Sequence, residues 1–319
     1  MTPIVEKALT LWGMDGAEWS LVAARENHVY RVQIGENSFA LRLHRRGLHS
    51  DAALRSELRW IAELGAKGVG VPTPVPATDD RYLHLLGGVQ VDMLDWLPGR
   101  PLGSTGGGID HEDRAGVFRA LGREMAKLHK ISDAWTRPDG FSRWSWDRAG
   151  LLGDTPLWDR FWENPSLTAD DRALFTAFRE AANSHLQRIE GYLDYGLIHA
   201  DLVRENVMVQ DDKLWLIDFD DAGFGFRLFD IATALLKNLN EPDYDALQKA
   251  LLEGYRSERA IDVEHLDLFM ALRAATYVGW ISSRMGEDGS ETRNMRFIET
   301  ARGLLTRYLG LHAWTGGNQ

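Results

Sequence analysis

No cysteine occurs in the 319 residues. That excludes disulfides, thiolate metal sites and cysteine nucleophiles, and it fits a reducing compartment. No run of about eighteen uninterrupted apolar residues is present, so no membrane-crossing helix is expected. The start, Met1-Thr2-Pro3-Ile4-Val5-Glu6-Lys7, lacks a basic region followed by an apolar core, the mark of a secretory signal. A cytoplasmic protein is the expectation. Basic residues are in deficit: the net charge is −11. An acidic chain disfavours nucleic acid, whose phosphates need a basic surface. The acidic surface serves solubility first and steering of a cationic small molecule second. Repeats are absent, and low complexity is confined to Gly106-Gly107-Gly108 and the Gly-rich tail. A hydrophobic fraction of 44% is enough for one large or two ordinary globular domains.

Patterning divides the chain. A helix is expected from Thr2 to about Trp12, with Pro3 in its first turn. Strands follow over 19–24, 28–33 and 38–43. A helix opened by Ser50 runs to about Leu64. An extended Val71–Pro76 segment and a hairpin over 82–86 and 89–95 come next. Beyond Leu97-Pro98-Gly99-Arg100-Pro101 the pattern turns helical. Asp110 is the expected cap of a helix to Lys130, and Thr168 caps another to Ile189. Further helices are expected near 230–239, 243–256, 263–285 and 291–309. The Gly106–Gly108 run reads as a flexible connection. The expected division is a nucleotide-binding lobe over 1–96 and a catalytic and substrate lobe over 97–319, with a ligand cleft between them.

The most informative stretch is His199-Ala200-Asp201, Asn206 and Asp218-Phe219-Asp220. Asp201 and Asn206 are separated by four residues, and Asp218 follows seventeen positions after Asp201. Between Asn206 and Asp218, two apolar runs flank Gln210-Asp211-Asp212-Lys213 and predict a β-hairpin. A hairpin brings Asp201, Asn206 and Asp218 to one end. H-x-D-x-x-x-x-N followed by D-F resembles the catalytic loop and metal site of kinases. Phosphoryl transfer needs position and charge neutralisation, and magnesium prefers oxygen ligands such as a carboxylate and an amide.

Ser38–Leu43 alternates as a strand should, and Arg42 falls where a basic residue would meet the α/β-phosphates. Glu57 shares the face of Leu54 and Ile61 on the following helix. A carboxylate on an inward face needs a partner, so Glu57 and Arg42 are expected to pair. Arginine here replaces the usual lysine, a planar fork in place of a point charge. No G-x-G-x-x-G loop is present. The turn Ala23-Ala24-Arg25-Glu26-Asn27 stands in its place, with Asn27 a candidate phosphate contact. The segment Met93–Leu97, including Asp95 and Leu97, offers backbone groups for an adenine edge. Val32, Ala40 and Ile217 are candidates to pack on the base or to be plain core.

Together these parts resemble the aminoglycoside phosphotransferase and choline kinase family. The resemblance rests on Asn27-x-Val29-Tyr30-Arg31-Val32, Leu41-Arg42-Leu43, Glu57, Pro72-x-Pro74 and Leu97-Pro98-Gly99-Arg100-Pro101-Leu102. Its strongest parts are His199-Ala200-Asp201-Leu202, Asn206, Ile217-Asp218-Phe219-Asp220-Asp221 and Asp230-Ile231-Ala232. It implies an α+β, two-lobe protein-kinase-like fold, with a small β-sheet N-lobe carrying one helix and a large, mainly helical C-lobe. It implies ATP- and Mg2+-dependent phosphorylation of a hydroxyl on a small molecule such as an aminoglycoside, choline, homoserine or a hydroxylysine-like amino alcohol. Asp201 would be the catalytic base, Asn206 and Asp218 the metal ligands, and Asp230 a support for the loop. His199 would be structural. Asp220, in place of the glycine of protein kinases, and the lack of an A-P-E segment favour the small-molecule branch. A protein serine/threonine kinase and a non-catalytic nucleotide-binding protein are the alternatives. Five of the twelve tryptophans lie between Trp135 and Trp162, either as a hydrophobic clasp or as a cradle for an ammonium group.

Overall fold

A computed structural model describes residues 2–24 and 27–315. Arg25 and Glu26 of the expected phosphate-side turn, and the tail from 316, lie outside the described residues. The fold is α+β and two-lobed. The small lobe opens with α1 (Thr2–Leu11). Strands β1 (Glu18–Ala24), β2 (His28–Ile34) and β3 (Asn37–Leu43) follow, then α2 (Asp51–Ala66), β4 (His84–Leu86) and β5 (Val89–Asp95). The five strands make one antiparallel sheet in the order β1-β2-β3-β5-β4. Val5, Leu9, Tyr30, Val32, Leu41 and Val91 form its core. Val32 is therefore a core residue; Ala40 and Ile217 are half-buried.

Helix α2 begins where Ser50 Oγ accepts from Ala53 N at 3.1 Å. That cap satisfies one of the four orphan amides of the first turn. Its inner face buries Leu54, Leu58, Ile61 and Leu64, with Trp60 and Glu57. Trp60, Ile61 and Leu64 belong to the core of the large lobe, so α2 joins the two lobes.

Short strands β6 (Arg100–Pro101), β7 (Gly103–Ser104) and β8 (Gly108–Ile109) follow. Gly106 to Gly108 is the turn of the β7–β8 hairpin, not a loose connection; Gly108 takes a φ of 72° that suits glycine. Next is α3 (Arg114–Ala134). Its cap is Asp113, whose carboxylate accepts from Gly116 N at 2.8 Å, and not Asp110. Asp110 instead pairs with Arg100 at the surface. Strand β9 (Trp144–Trp146), α4 (Arg148–Leu152) and α5 (Ala169–Ile189) come next, and α5 carries the expected Thr168 cap, completed by Asp171 as a capping box.

The chain then builds β10 (Tyr195–Ile198), β11 (Val207–Gln210), β12 (Lys213–Leu216) and β13 (Gly223–Phe226). The predicted hairpin is β11–β12, paired from Val207 opposite Leu216 to Gln210 opposite Lys213. The remaining helices are α6 (Arg227–Leu236), α7 (Tyr244–Arg256), α8 (Leu266–Trp280) and α9 (Ser290–Thr315). Helix α6 starts three residues before the expected Asp230. Phe226–Phe229 is buried and continues from β13 straight into the helix. Helix α8 is shorter than expected at both ends; His265 caps its start and Ile281 its end.

Helices α3 and α7 cross at two glycines. A Cβ on Gly122 would lie 2.0 Å from the Leu251 carbonyl oxygen, and one on Gly254 would lie 1.9 Å from that of Arg119. Only hydrogen fits at either position. The close crossing sets His129 of α3 against Tyr255 of α7, a contact that leads to the catalytic loop. Gly122→Ala or Gly254→Ala should therefore destabilise the protein by about 1–3 kcal/mol through overpacking. A drop in the urea unfolding midpoint measures it, and an unchanged midpoint refutes the crossing.

Candidate active site

Strand β10 delivers the chain to His199, and the loop expected to be catalytic follows. Ala200 adopts a φ of 65°, in the left-handed region where a Cβ costs about 1–2 kcal/mol. The buried Asp230 at the start of α6 offsets that cost. Its Oδ2 accepts from His199 N at 2.9 Å and its Oδ1 from Ala200 N at 2.6 Å. His129 Nε2 donates to the same Oδ2 at 3.0 Å, and Tyr255 OH bonds His129 Nδ1 at 2.8 Å. His199 Nε2 bonds the Ile217 carbonyl at 3.0 Å, which ties the loop to the segment carrying Asp218. His199 Nδ1 is left to accept from Asp201 N, at 3.3 Å.

A 3-10 turn over Arg204–Asn206 folds Asn206 back on Asp201. Asn206 Nδ2 donates to Asp201 Oδ2 at 2.8 Å and to the Asp201 carbonyl at 3.0 Å. The Asn206 carbonyl accepts from Ile217 N at 3.0 Å. These bonds bring Asp201, Asn206 and Asp218 to one place, although 201 and 218 lie on opposite sides of a hairpin. Asp218 also takes a left-handed φ, 68°. Strain of this kind gathers at functional sites.

Four carboxylates crowd this end of the cleft: Asp201, Asp218, Asp220 and Asp221. Burial, then the charge of Asp201, pushes Asp221 up to about 7; Trp158 Nε1 donates to its Oδ1 at 3.2 Å. Withdrawal from bulk water within the cleft, with Asp220, Asp201 and Asp221 beside it, raises Asp218 well above the usual carboxylate range. Asp218 is the most exposed of the four, so its negative neighbours are the firmer cause. Asp220 Oδ1 is buried and has no hydrogen-bond partner. Raised carboxylates and an unpartnered buried oxygen fit a cation-binding site. Among the described residues no group of three or more His, Cys, Asp or Glu side chains forms a closed metal cage. A divalent ion here would draw the rest of its oxygen ligands from phosphates and water, which is how magnesium is usually held.

On the small-lobe side, Arg42 and Glu57 do meet, Nη2 to Oε1 at 3.0 Å, both buried. The pair is part of a larger network. Arg42 also grips Asp92 of β5 with Nε at 2.7 Å and Nη2 at 2.9 Å, and Asp92 bonds His44 at 2.6 Å. Glu57 bonds Arg143 at 3.0 Å. Burial opposes ionisation of Glu57, but Arg42 and then Arg143 outweigh it and hold the carboxyl below its usual range. Arg42 and His44 do the same to Asp92, down to about 2. Arg143 further donates to the carbonyls of Phe219, Asp220 and Ala222 at 2.6–2.7 Å. It thereby fastens the Asp218 segment to α2. Asn27 donates to Asp220 Oδ2 at 2.6 Å, and Arg42 Nη1 stands 3.8 Å from Asp220 Oδ1, so the two lobes touch across the cleft at Asp220. Of the connecting segment, the Asp95 amide is bonded to the Thr73 carbonyl and the Trp96 amide to that of Ser38. Asp95 therefore has only its carbonyl to offer an adenine edge, and Leu97 is half-buried beside it.

The sequence reading missed Asp92, Arg143 and Arg273. Arg273 is fully buried in α8, and its Nη2 donates to Asp201 Oδ1 at 2.7 Å. Its signal was legible: a lone charge in the apolar run Leu268–Trp280 is costly unless paired. Arg143 and Asp92 carry no such mark.

The sequence matches the phosphotransferase enzyme family over residues 18–265. The chain belongs to this family. It is similar to a solved microcompartment-associated aminopropanol kinase, 32% identical over 97% of this chain and 98% of that one, with a TM-score of 0.83. A homoserine kinase of Rhizobium meliloti is 26% identical over 82% of this chain and 76% of its own length. A solved amicoumacin kinase shares the fold at a TM-score of 0.75, with 19% identity over 96% of this chain and 93% of its own. Among the described residues no helix is long and apolar enough to cross a membrane.

Burial, and then Arg227, hold the His129 imidazole down to about 4, so it is neutral in the fold. Unfolded, it titrates near 6.5. Between those values the unfolded chain carries a proton that the native protein does not. Stability should therefore fall as pH drops from about 6.5 to 4, with a slope of up to about 1.4 kcal/mol per pH unit from this group. His129→Gln should flatten that slope in urea unfolding measured across the window; an identical slope refutes the assignment.

Proposed function

We propose that this phosphotransferase moves the terminal phosphoryl group of ATP to the hydroxyl of a small, ammonium-bearing alcohol, with magnesium required. The observation that carries this reading is the meeting of Asp201, Asn206 and Asp218 at one end of the cleft, among four crowded carboxylates. Asp201 is the catalytic base, and its Oδ2 is steadied by Asn206. The acceptor oxygen forms the new bond to phosphorus as the bond to the ADP oxygen breaks, and its proton passes to Asp201 and then to solvent. Asn206 and Asp218 would hold the metal, which when bound neutralises phosphate charge. Arg42, locked by Glu57 and Asp92, faces the α/β-phosphates. Asn27, Asp95 and Leu97 complete the nucleotide side, with residues 1–96 and 97–319 as the two walls of the cleft.

Nucleotide use is supported by the amicoumacin kinase, solved with AMP-PNP and Ca2+. The acceptor class is supported by relatives named for aminopropanol and homoserine, both hydroxyl compounds with an amine. In this chain Asp221 is the half-buried carboxylate beside Trp158 that suits an ammonium group.

ADP release should be measured with 1-amino-2-propanol, ethanolamine, choline and homoserine against amine-free 1-propanol and glycerol. Amino alcohols should turn over and amine-free alcohols poorly. Asp201→Asn should lower kcat roughly 100- to 10,000-fold. Asp218→Asn should raise the magnesium concentration needed for half-maximal rate. Full turnover in either variant sinks the assignment.

A further inference from the structure

Arg273 sits at the centre of α8 with no exposed surface. Its guanidinium carbon lies 4.5 Å from the ring centroid of Trp158, 4.4 Å from that of Tyr277 and 5.3 Å from that of Phe229. Nη2 donates to Asp201 Oδ1 at 2.7 Å and to Tyr277 OH at 3.1 Å. Nε and Nη1 find no hydrogen-bond acceptor, so the aromatic faces are what offsets the burial of that side of the cation. A buried arginine left in this state is expensive. Among the described residues, its one salt bridge is to the base itself.

The geometry assigns Arg273 as the positioning residue for Asp201. The inference rests on the phosphotransfer reading above and adds a residue to it. With Asn206 on Oδ2 and Arg273 on Oδ1, the carboxylate of Asp201 has a donor on each oxygen and cannot rotate. Each oxygen keeps a further lone pair, so the acceptor hydroxyl meets a base of fixed direction. The guanidinium also places a fixed positive charge beside four crowded carboxylates. Arginine suits the task better than lysine, because only a planar cation can be gripped between ring faces while extending one N–H edge to Asp201. Trp158 thus joins the acid cluster from both sides: it donates to Asp221 and stacks on the cation that holds Asp201. The Trp-rich segment is in this respect part of the active site.

The test compares wild type, Arg273→Ala, Arg273→Lys and Asp201→Asn, with 1-amino-2-propanol as acceptor and MgADP as the binding probe. Arg273→Ala should bind MgADP as wild type does and lose roughly 100-fold in kcat, the cost of a misplaced reacting group, with KM for both substrates nearly unchanged. Millimolar guanidinium chloride should restore part of that kcat, and an equal concentration of sodium chloride should not. Arg273→Lys keeps the charge without the stacked fork and should lose roughly 10-fold in kcat. If Arg273→Ala does not fold, the lysine variant decides alone: a kcat within twofold of wild type overturns the inference. So does a folded alanine variant with unchanged kcat, or one whose loss lies in the acceptor KM and is not rescued. Wild type inactive on every alcohol overturns the phosphotransfer reading and this inference together. Turnover abolished in Asp201→Asn but intact in Arg273→Ala overturns this inference alone.

Discussion

The carboxylate of Asp230 is buried, and it accepts two successive backbone amides of the catalytic loop. Those amides point the same way only because Ala200 is forced into the left-handed region. Without the carboxylate the loop would carry strain and two unpaired buried N–H groups, each costing about 1–3 kcal/mol. His129 and Tyr255 hold the carboxylate from behind, and the glycine crossing of α3 and α7 holds them in turn. The direction of Asp201 therefore depends on helix packing well away from it.

Around that loop, like charge is deliberately crowded and then divided among arginines. Asp201 belongs to Arg273, Asp92 and Glu57 belong to Arg42, and Glu57 is shared with Arg143. Asp218 and Asp221 receive no such direct partner, and their carboxyls are raised. The arginines neutralise the acids that must stay still and leave unneutralised those that face the cleft. A site built this way attracts cations and has room for phosphates only together with one. This is the charge pattern on which the proposed metal and the proposed ammonium-bearing acceptor rest.

The sequence made much of this legible where spacing is local. The β11–β12 hairpin followed from two short apolar runs and a polar turn, and it carried the convergence of Asp201, Asn206 and Asp218 with it. Glu57 on the apolar face of α2 demanded a cation, and Arg42 on the preceding strand supplied it. Boundaries were less legible: Asp113, not Asp110, caps α3, and α6 begins at Arg227 because buried aromatic residues continue the ordered chain past two glycines. The tryptophans of 135–162 read as either clasp or cradle. Trp146 is buried in the core, which fits the clasp, and Trp158 reaches Asp221 and Arg273.

Residue order alone determined the chemistry on offer, because two carboxylates and an amide within eighteen residues of one another can be placed by a single turn and a single hairpin. It also determined that a buried cation must answer Glu57. Only the tertiary structure decided which cations do so and how the charge is shared. Arg143 lies 86 positions from Glu57 and Arg273 lies 72 from Asp201. Such pairings are set by how whole helices pack, and no local periodicity records them.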